Sequence, residues 1–150
     1  MTSLPSGACD THVHVYDHRY PPDDRAVLRP PDATLADYAE LQAALGLERV
    51  VIVQPTTYGL DNRCQLEAVG DLGDRARAVV VVDESVGTDE LAQLDAAGAR
   101  GARFHMLPGG AVGWDALEGV ARHIEPLGWH VQLQLDGNEL PARLDRRERV

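Results

Sequence analysis

The sequence predicts an α/β protein in which about five β-strands alternate with helices. The apolar runs are short, rich in valine and almost evenly spaced, and segments with helical periodicity separate them. The run at 49–54 is apolar on both faces, which is typical of a parallel sheet covered on both sides. Because the crossovers between parallel strands are right-handed, five such units form either an open doubly wound sheet or the first five units of a (β/α)8 barrel.

The N-terminal part begins with a predicted strand at 8–15 (ACDTHVHV) and a long loop that contains proline and arginine. A helix is expected over 34–45, because Thr34 is a suitable N-cap and Asp37 stands where a capping box needs an acidic side chain. The continuous apolar strand 49–54 follows this helix, and both of its faces must be covered.

The later elements repeat this scheme. Asp61 and Asn62 can cap a second helix before the valine-rich strand 76–82, and a third helix leads to the strand 102–106. A fourth helix precedes the strand 129–135, in which apolar and polar residues alternate. After that strand the chain becomes almost wholly charged. The whole chain, residues 1–150, is therefore predicted to form one partial barrel or open-sheet domain.

The composition of the chain limits the classes of partner that we expect. Fourteen Lys and Arg residues against 24 Asp and Glu residues give a net charge of −10, which repels phosphate backbones and anionic lipid, so a small-molecule partner is expected and nucleic acid and membranes are not. Cys9 and Cys64 match neither a disulfide framework nor a paired zinc spacing. With no signal-like N-terminus and no apolar run of spanning length, we expect a cytoplasmic protein, in which exposed sheet edges favour homo-oligomers.

The sharpest chemical signal is the run Asp10-Thr11-His12-Val13-His14 at the end of the first predicted strand. Residues two apart on a strand point to the same face, so His12 and His14 are expected side by side with Asp10 next to them. These groups supply half of a site for a divalent metal such as zinc or manganese, and they could equally polarise a substrate carbonyl without metal. A chance meeting of two histidines is the alternative, although barrel enzymes place their active sites at this end of the strands.

Three further segments carry a family resemblance: 50–68 (VVIVQPTTYGLDNRCQLEA), 100–106 (RGARFHM) and 128–141 (GWHVQLQLDGNELP). With the histidine pair they resemble the amidohydrolase-related family (amidohydrolase 2 type), in particular its branch that includes 2-pyrone-4,6-dicarboxylate lactonase, from Cys9 to about Pro141. The resemblance implies a TIM-type (β/α)8 barrel, incomplete in this chain. It also implies a hydrolase that acts on a lactone-like or other carbonyl substrate, in particular a carboxylated small molecule.

The resemblance implies roles for individual residues. His12 and His14 are expected to be catalytic, either as metal ligands supported by Asp10 or, as in metal-independent lactonases, as groups that polarise the carbonyl. The residues expected to bind the substrate are Thr56, Thr57, Tyr58 and Arg103. Their chemistry agrees with this role, because a guanidinium binds a carboxylate through two hydrogen bonds and hydroxyls help to orient it.

Structural alternatives remain for several of these residues. Thr56 and Tyr58 could only shape the turn after the second strand, and Arg103 could lie in a salt bridge. His105 is expected to face away from Arg103 and to pack between helix and sheet. Gly109, with the glycine after it, occupies a loop where lactonase relatives can carry a further carboxylate-binding arginine, which argues against a dicarboxylate substrate.

Relatives also supply a histidine from a sixth strand and a catalytic aspartate from an eighth, and neither strand is predicted here. We therefore expect poor turnover by this chain alone. The alternative is a non-catalytic, truncated chain that keeps residual metal or carboxylate binding.

Overall fold

A computed structural model describes residues 4–147, so both ends of the predicted domain 1–150 lie outside the described residues. Five parallel strands alternate with five helices in it. The strands are β1 Cys9–Val13, β2 Arg49–Val53, β3 Ala76–Val80, β4 Ala99–His105 and β5 His130–Gln134. The helices are α1 Leu35–Leu45, α2 Arg63–Leu72, α3 Thr88–Ala96, α4 Leu117–Ile124 and α5 Leu140–Arg147.

The order of the strands in the sheet is their order in the chain. A doubly wound sheet reverses its strand order at a switch point, whereas a barrel adds each strand beside the previous one. The five strands are therefore consecutive units of a (β/α)8 barrel, and they form an open half-barrel with β1 and β5 at its edges.

The core lies between the sheet and the helices. One face of the sheet joins the apolar helix residues in a single buried cluster. The strand residues of this cluster include Val50, Ile52, Ala78, Val80 and Phe104. Val53, Val79 and Arg103 are also buried but do not belong to this cluster, because successive residues of a strand point to opposite faces. The sheet thus has an apolar face towards the helices and an inner face that carries polar groups.

The ends of the elements differ in part from the prediction. The capping box of α1 is confirmed, since Thr34 Oγ1 accepts a hydrogen bond from Asp37 N and Asp37 Oδ2 accepts one from Thr34 N. β1 ends at Val13 rather than at residue 15, because the backbone of Val15 pairs with the side chain of Gln65 on α2 and not with a strand. This leaves residue 14 just beyond the strand, at its carboxyl end.

Asn62 has a different role from the predicted one. It precedes α2, but its side chain makes no capping hydrogen bond. The side chain is buried and pairs with both backbone groups of Val81, at 2.8 Å to the carbonyl oxygen and 2.9 Å to the amide nitrogen. Asn62 therefore joins the start of α2 to the chain that leaves β3.

Candidate active site at the carboxyl ends of the strands

The two predicted histidines meet at the carboxyl end of β1. The ring centroids of His12 and His14 are 4.9 Å apart in an edge-to-face arrangement. His14 Nδ1 lies 2.7 Å from the carbonyl oxygen of Val53, at the end of the neighbouring strand. A carbonyl only accepts hydrogen bonds, so Nδ1 carries the proton and the lone pair of neutral His14 is on Nε2.

The surroundings of both imidazoles favour the neutral form by lowering their pKa values. Burial lowers the pKa of His12, and the positive charge of Arg103 lowers it further against the opposing charge of Asp10. Burial also lowers the pKa of His14, where the hydrogen bond to Val53 opposes the shift and Arg103 and His12 add to it. Two neutral imidazoles beside a guanidinium can accept a proton or donate a neutral hydrogen bond near pH 7.

These pKa shifts predict how stability depends on pH. A histidine whose folded pKa lies below its ordinary 6.5 contributes stability above pH 6.5, and this contribution is lost as the pH falls. We expect the free energy of unfolding to decrease from about pH 7 to about pH 5, and the variant His14→Gln to lose part of that decrease. Urea titrations at several pH values measure the slope.

The control variant is expected to change the pH dependence of the free energy of unfolding in the opposite direction. Asp32 raises the pKa of His18, so the contribution of His18 is present at low pH and is lost as the pH rises through that raised pKa. His18→Gln should therefore steepen the decrease towards acid. An unchanged slope in His14→Gln would contradict a neutral, partly buried His14.

Asp10 stays next to His12, as expected, since its Oδ1 accepts a hydrogen bond from the backbone amide of His12 at 3.2 Å, but it does not share the face of the two imidazoles. The register between β1 and β2 shifts between Asp10 and Val13, because one extra residue of β1 is accommodated there. Asp10 pairs with Val50 on the face towards the helices. There burial and, after it, the charge of Asp10 raise the pKa of Tyr38 on α1 to about 12. The bulge thus turns the side chain of Asp10 to the other face from the imidazoles, although Asp10 still bonds to the backbone of His12 and its charge acts on the pKa of His12.

Arg103 is a buried cation with no counter-ion in the described part of the chain. It is only 5% exposed. Its Nη1 donates to the carbonyl oxygen of Gln54 at 2.6 Å, and its Nη2 donates to Gln134 Oε1. Its Nε is buried without a hydrogen-bond partner, and no carboxylate contributes to its pKa, which burial lowers. The salt bridge considered for Arg103 is therefore absent among the described residues.

The expected orientation of His105 is wrong for a simple reason. His105 and Arg103 are two residues apart on β4, so their side chains share a face. Gln134 Oε1, opposite them on β5, accepts from Arg103 and lies 3.1 Å from His105 Nδ1. One amide oxygen thus contacts both Arg103 and His105.

The hydroxyl residues after β2 separate into two groups. Thr57 is buried, and its hydroxyl donates to the carbonyl oxygen of Leu28 at 3.0 Å. The hydroxyl of buried Tyr58 accepts from the amide of Asp17 at 2.9 Å. Both residues therefore hold the loop between β1 and α1. Thr56 is half-buried, and its side chain makes no hydrogen bond to other described residues.

Two residues of the site, Tyr16 and Gln54, were not singled out from the sequence, and the contact of a third, Gln134, with Arg103 was not predicted. The Tyr16 ring lies 6.2 Å from the ring of His14, and burial raises its pKa while Arg103 opposes the shift. Continued alternation from His12 through His14 to Tyr16 could have indicated it. The backbone carbonyl of Gln54 and the side chain of Gln134 hold Arg103, and no local sequence signal marks either contact.

A metal site is not formed by the described residues alone. Within residues 4–147 no group of three or more His, Cys, Asp or Glu side chains is arranged to hold a metal ion.

No helix in that range is long and apolar enough to cross a membrane.

The family model described as "Amidohydrolase" matches residues 9–145. The chain belongs to the amidohydrolase family. This match confirms the resemblance drawn from the histidine pair and the three segments at 50–68, 100–106 and 128–141, and it extends over almost the whole chain.

Named relatives of this amidohydrolase chain act on lactones. It is 37% identical over 150 residues to a D-galactarolactone isomerase from Agrobacterium fabrum, covering 99% of this chain and 51% of the relative. It is also 37% identical over 146 residues to a 2-pyrone-4,6-dicarboxylate hydrolase from Comamonas testosteroni, covering 95% and 48%. A 4-sulfomuconolactone hydrolase from Rhizobium radiobacter is 30% identical. The chain spans about half the length of these relatives.

Solved structures confirm the half-barrel. An apo crystal structure from Agrobacterium tumefaciens has a TM-score of 0.91 and 37% identity, covering 96% of the amidohydrolase chain and 53% of that structure. A probable 2-pyrone-4,6-dicarboxylic acid hydrolase from Acinetobacter baumannii, with citric acid bound, has a TM-score of 0.83 and 26% identity, covering 95% and 54%. The expected incomplete TIM-type barrel is confirmed by these matches.

Proposed function

We propose that this chain carries the part of a lactone-hydrolysing site that binds a substrate carboxylate and polarises the lactone carbonyl. The observation that carries the proposal is the buried guanidinium of Arg103, which lies close enough to both histidines to lower their pKa values and has no carboxylate partner among the described residues. A buried cation without a counter-ion is costly unless an anionic ligand compensates it. Two relatives are named as hydrolases, which supports the same reaction class, and a third is named as a lactone isomerase, which supports a lactone substrate only.

The contacts of each group define its role in the proposed reaction. A substrate carboxylate would accept hydrogen bonds from Arg103 Nε and, after displacing Gln134, from Nη2. His14 Nε2 accepts the proton of the attacking water, whose oxygen bonds to the lactone carbonyl carbon. An N–H of His12 donates to the carbonyl oxygen as its negative charge grows. The ring C–O bond then breaks, and the departing oxygen takes up a proton to leave a ring-opened acid.

Thr56 is the remaining candidate for binding the substrate, because its hydroxyl makes no hydrogen bond within residues 4–147 and it lines the small cavity at Arg103 and His105. We assign Thr57 and Tyr58 to holding the loop between β1 and α1. Their hydroxyls would have to give up the backbone contacts described above before they could bind a ligand.

The zinc or manganese ion considered for the family does not fit the described donors by themselves. His14 Nε2 would be a good ligand, since Nδ1 is fixed by a backbone carbonyl. The described residues nevertheless bring only two imidazoles together, Asp10 faces the helices, and the charge of Arg103 opposes a second cation. We therefore propose the metal-independent role for the two histidines.

The proposal is tested with a panel of lactones that do or do not carry a carboxylate. Ring opening is measured as the release of acid, in the presence of a chelator. His12→Ala should reduce the rate on the order of 100-fold, as removal of one oxyanion donor does in other enzymes. Carboxylate binding should persist in this variant because Arg103 is unchanged. Binding without any ring opening by the unmodified chain would instead support the non-catalytic alternative.

We propose a reducing, cytoplasmic location and association through the edges at β1 and β5. Cys9 and Cys64 are free thiols, and burial raises the pKa of Cys64 to about 11, which keeps that thiol protonated. Strand edges that are not paired within the described chain favour contact with another copy.

A further inference from the structure

Tyr16 is fixed at the carboxyl end of β1, next to the histidine pair. Its amide donates to the carbonyl oxygen of Ala33 and its carbonyl oxygen accepts from the amide of Ala33, both at 2.9 Å, in an antiparallel bridge. Its ring lies edge-to-face with the ring of His14 at 6.2 Å and tilted towards the buried ring of Tyr58 at 6.3 Å. The backbone bridge and the two neighbouring rings therefore hold the half-buried side chain of Tyr16 beside His14.

The phenol of Tyr16 lies near the guanidinium on the inner side of the half-barrel. Burial raises the pKa of Tyr16 above its ordinary 10.0, while the charge of Arg103 and a hydrogen bond with Thr57 oppose the rise. In return, burial lowers the pKa of Arg103, and the negative charge of an ionised Tyr16 opposes that shift. The phenol is thus protonated near pH 7, and a phenolate formed there would be stabilised by a neighbouring cation.

The proposed ring opening needs an acid as well as a base, because the departing alkoxide takes up a proton. The base is His14, whose Nε2 has the lone pair. The amide oxygen of Gln134 accepts from Arg103, so His105 donates to the same oxygen from Nδ1, and Nε2 of neutral His105 carries only a lone pair. Arg103 itself does not release a proton in proteins. None of these groups can therefore supply the proton in its resting state.

The hydroxyl groups after β2 are also unsuitable as the acid. Those of Thr57 and Tyr58 contact the backbone of the loop between β1 and α1. The aliphatic hydroxyl of Thr56 is no stronger an acid than the alcohol that departs. A phenol is a far stronger acid than an alcohol, and Tyr16 places one beside the base and the guanidinium.

We propose that Tyr16 is a further catalytic residue of lactone ring opening, because its fixed position beside His14 lets its hydroxyl protonate the ring oxygen as the C–O bond breaks. This inference rests on the proposed function. The electron pair of the C–O bond moves to the ring oxygen, which takes the proton from the O–H bond of Tyr16 and leaves a phenolate next to Arg103. His14, protonated by the attacking water, then returns that proton to the phenolate through one water molecule, so both residues regain their starting forms.

Two lactones of nearly the same shape separate this role from a structural one. The compound γ-carboxy-γ-butyrolactone opens to an alcohol, and its thiolactone analogue, with sulfur in place of the ring oxygen, opens to a thiol. A thiol has a pKa of about 8.5, so a thiolate departs without an acid, whereas an alkoxide needs one. Acid release from both compounds is followed at constant pH with the 150-residue chain.

The variant Tyr16→Phe removes the hydroxyl and keeps the ring that contacts His14 and Tyr58. We expect it to open the oxygen lactone on the order of 100-fold more slowly, as loss of a general acid does, and to slow the thiolactone by less than about threefold. Its affinity for the oxygen lactone, measured by NMR titration, should not change. Tyr20→Phe is the matched control, because the hydroxyl of Tyr20 binds Glu67 on α2, and it should change neither rate.

The outcomes distinguish the inference from the proposed function. If Tyr16→Phe slows the thiolactone as much as the oxygen lactone, or slows neither, Tyr16 is not the acid, while the carboxylate site and the base stand. A wild-type chain that opens only the thiolactone has no working acid, which also overturns the inference alone. If the wild type opens neither compound, the proposed function fails together with the inference.

Discussion

Replacing Gln134 by glutamate is expected to abolish carboxylate binding at Arg103 and at the same time to stabilise the fold. The amide oxygen of Gln134 already contacts Arg103 Nη2. A glutamate there would supply a permanent negative charge to a buried guanidinium that has no counter-ion among the described residues. An incoming carboxylate would then have to break an internal ion pair, which corresponds to a loss of affinity on the order of 100-fold.

Two measurements on one variant make this prediction specific. Affinity for γ-carboxy-γ-butyrolactone comes from an NMR titration, and stability comes from thermal unfolding. Gln134→Glu should lower the affinity and raise the melting temperature, whereas a variant that merely disturbs the fold would lower both. Gln134→Ala is the control, because it leaves Nη2 without an internal competitor and should bind the lactone acid at least as well as the wild type. Equal affinities for the glutamate variant and the wild type would show that the ligand carboxylate does not use Arg103.

Replacing Gln65 by leucine is expected to lower the free energy of unfolding by about 2–4 kcal/mol. Gln65 is fully buried on α2, and its side chain pairs with both backbone groups of Val15, at 3.0 Å to the amide and 2.7 Å to the carbonyl oxygen. Leucine has a similar volume but takes the partner from the amide of Val15 and leaves its carbonyl oxygen with only the weak contact from the Cys64 thiol at 3.8 Å. Since Val15 follows His14 directly, the ring of His14 should also lose its fixed position.

Urea unfolding measures the first effect, and the imidazole nitrogen resonances of His14 report the second. Gln93→Leu is the matched control, because Gln93 is exposed on α3, and it should change stability by less than about 0.5 kcal/mol. If both leucine variants destabilise the chain equally, Gln65 does not hold the segment after β1. If Gln65→Leu destabilises the chain but leaves the resonances of His14 unchanged, its role is confined to stability.

Local patterns were sufficient for the architecture. Strand and helix periodicities differ, so the alternation of the two could be identified along the chain without tertiary contacts. The capping box of Thr34 and Asp37 involves residues three apart, and the pairing of His12 with His14 follows from the two-residue repeat of a strand. These features depend on near neighbours in sequence, which is why the sequence could predict them.

The sequence indicated the type of site at Arg103 but not the partners of its side chain. Its type and position at the end of a strand indicated an anion site, but its partners come from 49 residues away at Gln54 and 31 residues away at Gln134. The same holds for Thr57 and Tyr58, whose hydroxyls bind a loop that lies 29 and 41 residues earlier. No local pattern distinguishes a hydroxyl that binds substrate from one that binds a distant carbonyl.

The sequence by itself determined the five βα units, the histidine pair at the end of the first strand and the cation on the fourth. Only the tertiary structure decided that Asp10 faces the helices. A bulge is a difference in the number of residues between two paired strands, so the sequence of one strand does not reveal it. The tertiary structure also decided that Arg103 has no counter-ion within residues 4–147. Alternation and capping are short-range properties of the chain, whereas register, burial and charge compensation depend on which distant segments the fold brings together.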